Sequence, residues 1–358
     1  MSDNEKLKPH RDAIDHIDSE ILRLLNQRAT HAQAIGHIKG DQVIYRPERE
    51  AVVLRRVQEL NPGPLSNLAV ARLQRAIMSE CLALERPLTI AYLGPKGTFT
   101  EQAALKHFGQ AVQTQPCSSI DEAFRLVEAN QADYVITPIE NSTEGSIGRS
   151  LDLLVKTSLK ACGEVILRIH HHLLRKNNEQ QGFDKVYAHA QALAQCRNWL
   201  DKNLPAGVAR IAVASNAEAA RMAAQDSSAV AIASLMAAEY YQLCALTNNI
   251  EDEPNNTTRF LVLGHNDTNP SGRDKTSLIV AAPNQAGAVH GLLQPFADHG
   301  VSMTKLESRP SHGGLWEYVF FIDIEGHQQD QKIYAALAEL QQRSAFVKVI
   351  GSYPVAVI

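Results

Sequence analysis

Charged residues recur at helical intervals near the start of the chain. Arg28 and His31 fall within a series Ile14, Ile17, Ile21, Leu24, Ile35 and Ile38 that keeps a three-four spacing. A charge on such a seam is costly unless something pairs with it. Two readings follow: a polar residue that sets the register of packed helices, or an anion site inside a bundle. Lys39 lies eleven residues after Arg28, an offset of only about 20° around a helix, so both cations share one face. Arg11, seventeen residues before Arg28, falls roughly 100° away. It cannot easily serve the same pocket in one chain, but it can serve the pocket of a partner helix. Arg49 and Glu50 open a second helix, and Cys81 and Glu85, four apart, share a face of a third. Several cations, a carboxylate and little acid–base equipment suit a reaction that needs positioning and charge stabilisation.

The middle of the chain carries a different set. Thr98-Phe99-Thr100-Glu101 and Ser215-Asn216-Ala217-Glu218 match capping boxes, and Ser142 and Thr143 follow a strand that ends near Pro138. Each is either a simple cap or part of an anion site at a helix N-terminus. Gly94-Pro95-Lys96-Gly97-Thr98 lacks the spacing of a nucleotide-binding loop. In a strand, His170 and His172 would share a face opposite His171, beside Ile169 and Leu173. A packed strand is favoured there over a metal site. His189 stands alone near a loop. No cofactor and no metal are expected.

The elements that must position these residues fall into three regions. Residues 7–86 read as helix throughout, broken at Arg46-Pro47 and at Asn61-Pro62-Gly63-Pro64. A helix over 7–39 would be roughly 50 Å long, more than its own small domain can cover, so a second copy is expected against it. After Arg86-Pro87 the pattern becomes strand–loop–helix, with strands at 88–93, 132–138 and 210–214. That implies a mostly parallel sheet covered on both faces, in one large lobe or two small ones. The polar stretch 176–185 is read as a loop between lobes. A linker at 265–272 precedes a βαββαβ order, the ferredoxin-like arrangement. The expected domains are therefore 1–87, 88–265 and 275–358, giving an all-α, an α/β two-lobed and an α+β ferredoxin-like unit.

Composition narrows the function classes. The 358 residues carry 35 Lys and Arg against 39 Asp and Glu, with 44% hydrophobic and 6% aromatic residues. No basic tract appears, which argues against nucleic acid. No apolar run reaches the roughly 18 residues of a membrane span. The N-terminus lacks an apolar leader. The five cysteines are scattered without a CxxC pair, so the expected setting is the reducing cytoplasm.

The run Arg11, Arg28, Lys39, Arg49-Glu50 and Cys81-x-x-x-Glu85 resembles the all-helical chorismate mutase family over residues 1–87. That resemblance implies an intertwined homodimer whose cations hold the carboxylates and ether oxygen of chorismate. Arg46 stands where many members carry an acid, Cys81 where a serine is common, and Glu85 where many have glutamine. A glutamate must be protonated to donate to the ether oxygen, so mutase activity is expected to fall as pH rises.

Four further motifs resemble the prephenate dehydratase family. They are Tyr92-Leu93-Gly94-Pro95-x-Gly97-Thr98-Phe99, Pro138-Ile139-Glu140-Asn141-Ser142-Thr143-Glu144-Gly145, Gln191-Ala192-Leu193-Ala194-Gln195-Cys196 and Asn256-Thr257-Thr258-Arg259-Phe260. The resemblance implies two lobes enclosing prephenate, with Thr258 tied most strongly to catalysis. Glu140, Asn141, Ser142 and Gln195 would line the cleft, with Arg259 and Phe260 beside Thr258. Ala188 replaces a common serine. Gly287-Ala288-Val289 and Glu307-Ser308-Arg309-Pro310 resemble the phenylalanine-binding motifs of the ACT domain in prephenate dehydratases, which implies feedback inhibition; the plainer reading is a structural domain that closes the chain. The leading expectation is a bifunctional enzyme of phenylalanine synthesis that uses chorismate and prephenate. Its alternatives are a dehydratase with a non-catalytic helical dimeriser, which a mutase assay on residues 1–90 separates, and a two-lobed amino-acid sensor without chemistry.

Overall fold

The computed structural model describes residues 3–39, 44–177, 182–282, 285–310 and 318–358, apart from the side chain of Lys39. The chain opens with α1 (Asp3–Lys39), α2 (Pro47–Glu59) and α3 (Asn67–Ala83). Helix α1 packs on α3 near its C-terminal end, where a Cβ on Gly36 would lie 2.8 Å from Cγ of Glu85. Along most of its length it projects free of the rest of the chain. Ile14, Ile17, Ile21 and Leu24, the apolar seam expected from the sequence, are 47–55% exposed.

The first lobe contains β1 (Thr89–Leu93), α4 (Phe99–Phe108), β2 (Gln113–Cys117), α5 (Ile120–Glu128), β3 (Tyr134–Asn141), β4 (Gly145–Ser146), α6 (Gly148–Lys156) and β5 (Lys160–Arg168). The chain then crosses to the second lobe: β6 (His172–Arg175), β7 (Lys185–His189), α7 (Ala190–Gln195), α8 (Arg197–Asn203), β8 (Ala209–Val213), α9 (Asn216–Gln225), β9 (Ala229–Ala233), α10 (Leu235–Tyr241) and β10 (Cys244–Thr247). It returns as β11 (Thr257–Gly264), which inserts between β3 and β5.

The sheets are mixed rather than mostly parallel. In the first, β2, β1 and β3 run parallel while β11 runs antiparallel to β3 and β5. In the second, β8, β7 and β9 are parallel and β6 and β10 antiparallel. The reversed strands include those that carry the chain between lobes. Accordingly the crossings lie at 169–171 and 248–256; the stretch 176–185, of which 178–181 lie outside the described residues, stands in the chain between β6 and β7, both strands of the second sheet. His170 and His171 belong to the crossing, and only His172 enters a strand.

The last unit is β12 (Asp274–Ala281), α11 (Ala288–Asp298), β13 (Met303–Pro310), β14 (Tyr318–Glu325), α12 (Gln331–Arg343) and β15 (Phe346–Pro354), with strand order β13-β14-β12-β15. This is the ferredoxin-like arrangement. Its helices cover one face of the sheet. The other face lends Ile279, Phe321, Ile350 and Tyr353 to the core of the first lobe, beside Phe124, Leu151 and Leu261. Gly351 permits that approach, because a Cβ there would fall 2.2 Å from the Ala161 carbonyl oxygen of β5. Among the described residues no helix is long and apolar enough to cross a membrane.

Candidate active sites

The ladder between β3 and β11 organises the cleft between the two lobes. Thr258 pairs in register with Asn141, and Arg259 with Glu140. Successive side chains of a strand point to opposite faces. The first pair faces the cleft and the second faces the C-terminal domain. Thr258, Phe260, Asn141, Gln195, Gln191, Asn216, Phe99 and His171 line a pocket of about 180 Å³. It shares Phe99, Thr100, Gln191 and Asn216 with a wider mouth of about 1000 Å³, bordered by the N-termini of α4 and α9. The expected caps form: Thr98 Oγ1 accepts from the Glu101 N–H at 3.4 Å, and Ser215 Oγ from that of Glu218 at 3.0 Å.

Backbone donors fix the orientation of the amides around Thr258. Asn141 Oδ1 accepts from the backbone N–H of Thr143 (3.0 Å) and of Glu144 (3.2 Å), and from the Thr143 hydroxyl at 2.6 Å. Asn141 Nδ2 therefore donates, to Asn256 Oδ1 at 2.8 Å and to Thr258 Oγ1 at 2.9 Å. Because Thr258 Oγ1 accepts there, its own hydrogen is left for a ligand. Asn256 Nδ2 in turn donates to Gln195 Oε1 at 3.0 Å, and Gln195 Nε2 to Thr143 Oγ1 and Glu144 Oε1, both at 3.1 Å. Asn141, Asn256 and Thr258 are buried, so this closed amide chain holds the threonine rigidly.

The other motif residues face elsewhere. Ser142 Oγ accepts from the Thr257 N–H at 2.9 Å and so ties two backbones together outside the pocket. Glu140 does not line the pocket; its carboxylate receives Lys305 of β13 at 2.9 Å. Arg259 is also turned away. It donates to Glu164 (2.9 Å), to Asp323 of β14 and to the Tyr353 hydroxyl of β15 (2.9 Å). Burial opposes its charge, yet Tyr353, Asp323 and Glu164 hold its pKa above the ordinary arginine value.

The C-terminal motif divides in the same way. On β13, Lys305, Glu307 and Arg309 alternate with the exposed Leu306, Ser308 and Pro310. Glu307 accepts a hydrogen bond from Ser146, and Arg309 donates to the Gly148 carbonyl at 2.7 Å and pairs with Asp152 at 3.2 Å. These side chains grip the loop after Asn141. Ser308 lies opposite Phe320 on the helix-bearing face at an edge strand. Gly287, at φ +77, begins the helix α11 on that face, with Ala288 and Val289 as its first residues; a left-handed φ favours glycine there.

The helical pocket, about 210 Å³, is lined by Arg28 and Ile35 of α1, Arg46, Arg49 and Glu50 at the start of α2, and Cys81 and Glu85 at the end of α3. Glu85 Oε2 is buried and has no partner among the described residues. Arg11 is remote from the pocket of its own chain and donates to Asn4 at 3.0 Å. The Lys39 side chain lies outside the described residues. Glu50 is engaged by Arg75 of α3 at 2.9 Å, and burial raises its pKa although Arg75 opposes the shift. Arg75, which the sequence reading missed, also donates to the Lys106 carbonyl of α4 at 3.0 Å. Helix α4 reaches both sites: Phe108 lines the helical pocket, and Phe99, about 13.5 Å along the helix axis, lines the cleft. Among the described residues no group of three His, Cys, Asp or Glu could hold a metal ion.

Three family models match in order: chorismate mutase type II over residues 10–86, prephenate dehydratase over 90–268 and the ACT domain over 276–342. The bifunctional chorismate mutase/prephenate dehydratase of Neisseria gonorrhoeae is 64% identical over 358 residues, covering 99% of each chain. That of Pseudomonas aeruginosa is 48% identical and covers 100% of each. The crystal structure of prephenate dehydratase from Arthrobacter aurescens in complex with L-Phe is 33% identical. It covers 75% of this chain and 90% of that one, with a TM-score of 0.69. A helical mutase unit, a two-lobed dehydratase and an ACT unit in one chain define a class of multidomain enzyme. The chain belongs to the bifunctional chorismate mutase/prephenate dehydratase family.

Proposed function

We infer that this chain rearranges chorismate to prephenate in the helical pocket. In the interlobe cleft it then converts prephenate to phenylpyruvate, carbon dioxide and water. Phenylalanine bound through 275–358 inhibits the second step; 1–87 and 88–265 carry the two reactions. The observation that carries the dehydratase reading is the closed amide chain that leaves the Thr258 hydroxyl hydrogen free in a buried pocket.

In the dehydratase step the ring carboxylate leaves as carbon dioxide. Its bonding pair enters the ring, and the ring hydroxyl departs with the carbon–oxygen pair. One proton from the medium completes the water. Aromatisation drives the reaction, so the protein's task is orientation and help for the departing oxygen. Thr258 donates to that oxygen while Asn141 donates to Thr258 and makes its hydroxyl a stronger donor. Asn141, Gln195 and Phe260 shape the same pocket, whereas Glu140 and Arg259 act through the regulatory domain.

The mutase step needs no proton transfer. Arg28, Arg49 and Lys39 hold the substrate carboxylates, Glu85 and Cys81 close the end of the pocket, and Glu50 is held in place by Arg75. Arg11 serves the pocket of a second copy in a homodimer. The exposed seam of α1 supports that pairing. For the ACT unit, support comes from the phenylalanine complex of the Arthrobacter relative and from the exposed Ser308 and Pro310 on the edge strand β13.

Purified full-length protein incubated with chorismate, with prephenate and phenylpyruvate followed separately, tests this reading. Both products should form, with phenylpyruvate suppressed by phenylalanine. Phenylpyruvate formed only from supplied prephenate would remove the mutase assignment.

A further inference from the structure

The hydrogen bonds around Thr258 also determine the state of a residue outside the four dehydratase motifs. His171 lies on the crossing between the lobes and is 2% exposed. Its Nε2 is 2.9 Å from Gln195 Oε1, the oxygen that already accepts from Asn256. The orientation of Gln195 follows from Asn256, that of Asn256 from Asn141, and that of Asn141 from two backbone N–H groups that can only donate. An amide oxygen cannot donate, so Nε2 carries the hydrogen. Nδ1 of the neutral ring then holds a lone pair. That atom is buried and has no partner among the described residues.

The ring is held firmly. Phe99 meets it edge-on with centroids 5.6 Å apart. The His171 backbone N–H donates to Glu251 Oε2 at 2.9 Å, and its carbonyl accepts from Ile250 at 2.9 Å. Burial lowers the pKa of the ring, opposed by Gln195 and Glu251 and reinforced by His172 and His170. A buried, neutral, unpartnered acceptor is expensive unless something fills the site. The imidazole as a whole is among the side chains lining the pocket of Thr258, Asn141 and Gln195.

We propose that His171 is a catalytic residue of the dehydratase, its Nδ1 accepting a hydrogen bond from the ring hydroxyl of prephenate. The inference rests on the dehydratase reading above and names a second contact to the group that leaves. With its hydrogen directed to His171, the hydroxyl turns a lone pair toward the Thr258 hydrogen. The carbon–oxygen bond then breaks with its electron pair on an oxygen already oriented to receive a proton. His171 neither gains nor loses a proton in the step.

The test uses the full-length chain, whose mutase rate serves as an internal control for folding. Gln at position 171 keeps a donor toward Gln195 but removes the Nδ1 acceptor; Asn places an amide oxygen near the Nδ1 position. For His171→Gln, kcat with prephenate should fall about ten- to a hundredfold, in the range of a lost orienting contact. KM should change little and the mutase rate should hold. His171→Asn should recover part of the lost kcat. An unchanged kcat in His171→Gln, or a rise in KM alone, would overturn the proposal. Parallel loss of both activities in the two variants would assign His171 to the fold and overturn it as well. Wild-type protein that leaves prephenate unchanged would remove the dehydratase reading, and this inference with it.

Discussion

The dehydratase cleft and the mutase pocket share one chain and one helix, α4, but they are finished to different degrees. Around Thr258, Asn141, Asn256 and Gln195 are satisfied by neighbours in the same chain, beginning from backbone donors. In the helical pocket a buried Glu85 oxygen has no partner among the described residues, Arg11 points away, and the apolar seam of the longest helix is open. A site built between two lobes can be completed by one chain. A site built along a projecting helix is left open by its own small domain, and the proposed second copy would close it.

The comparison breaks first at Thr258. Thr258→Ala should lower dehydratase kcat by about 10²–10³-fold, the usual loss for one preorganised donor, while the mutase rate is unchanged; steady-state kinetics with each substrate checks this. The converse change lies on the α1 seam. A charge buried there without a partner costs several kcal/mol, so Ile21→Glu should weaken self-association at least about a hundredfold. In sedimentation at assay concentration the variant should run as a smaller species, with mutase activity lost and prephenate turnover kept.

A smaller effect sharpens the link between the cleft and the ACT unit. Asp323 holds Arg259, the residue next to Thr258. Asp323→Asn should raise the phenylalanine concentration needed for half-inhibition about tenfold, within the ordinary range of allosteric coupling, with the uninhibited rate largely retained. The smallest expected change is at Glu85. An amide at this position donates without needing a proton from solution, so Glu85→Gln should keep or raise mutase kcat in steady-state assays with chorismate. A marked loss of kcat in Glu85→Gln, with dehydratase activity kept, would remove Glu85 from the donor role.

Much of this was legible in the sequence. The α1 seam, the breakers at Pro47 and Pro62, the N-caps at Thr98 and Ser215 and the βαββαβ order are local patterns, and local patterns survive in a linear reading. The insertion of β11 between β3 and β5 was not legible, because it pairs residues about a hundred positions apart. The same limit explains the motif residues. Glu140 and Asn141 are adjacent, as are Thr258 and Arg259, but only the ladder register reveals that one of each pair faces the cleft and the other the ACT unit. His171 sat within a run of three histidines that read as a packed strand. Its meaning depends on Gln195, Asn256 and Asn141, which come from three other segments. Arg75 gave no signal, since a lone arginine on an amphipathic helix is ordinarily solvated.

Complementation between two inactive variants tests the contrast most directly. Arg11→Ala and Arg28→Ala should each lose mutase activity and keep dehydratase activity. When the two are unfolded together and refolded, random pairing places about half of the chains in mixed dimers, each with one intact pocket and one doubly altered pocket. Mutase activity should therefore return to about a quarter of the wild-type rate. Recovery to that level is the predicted result; a mixture no more active than the sum of its parts, with mixed dimers demonstrably formed, would show that each pocket draws on one chain and would contradict the account.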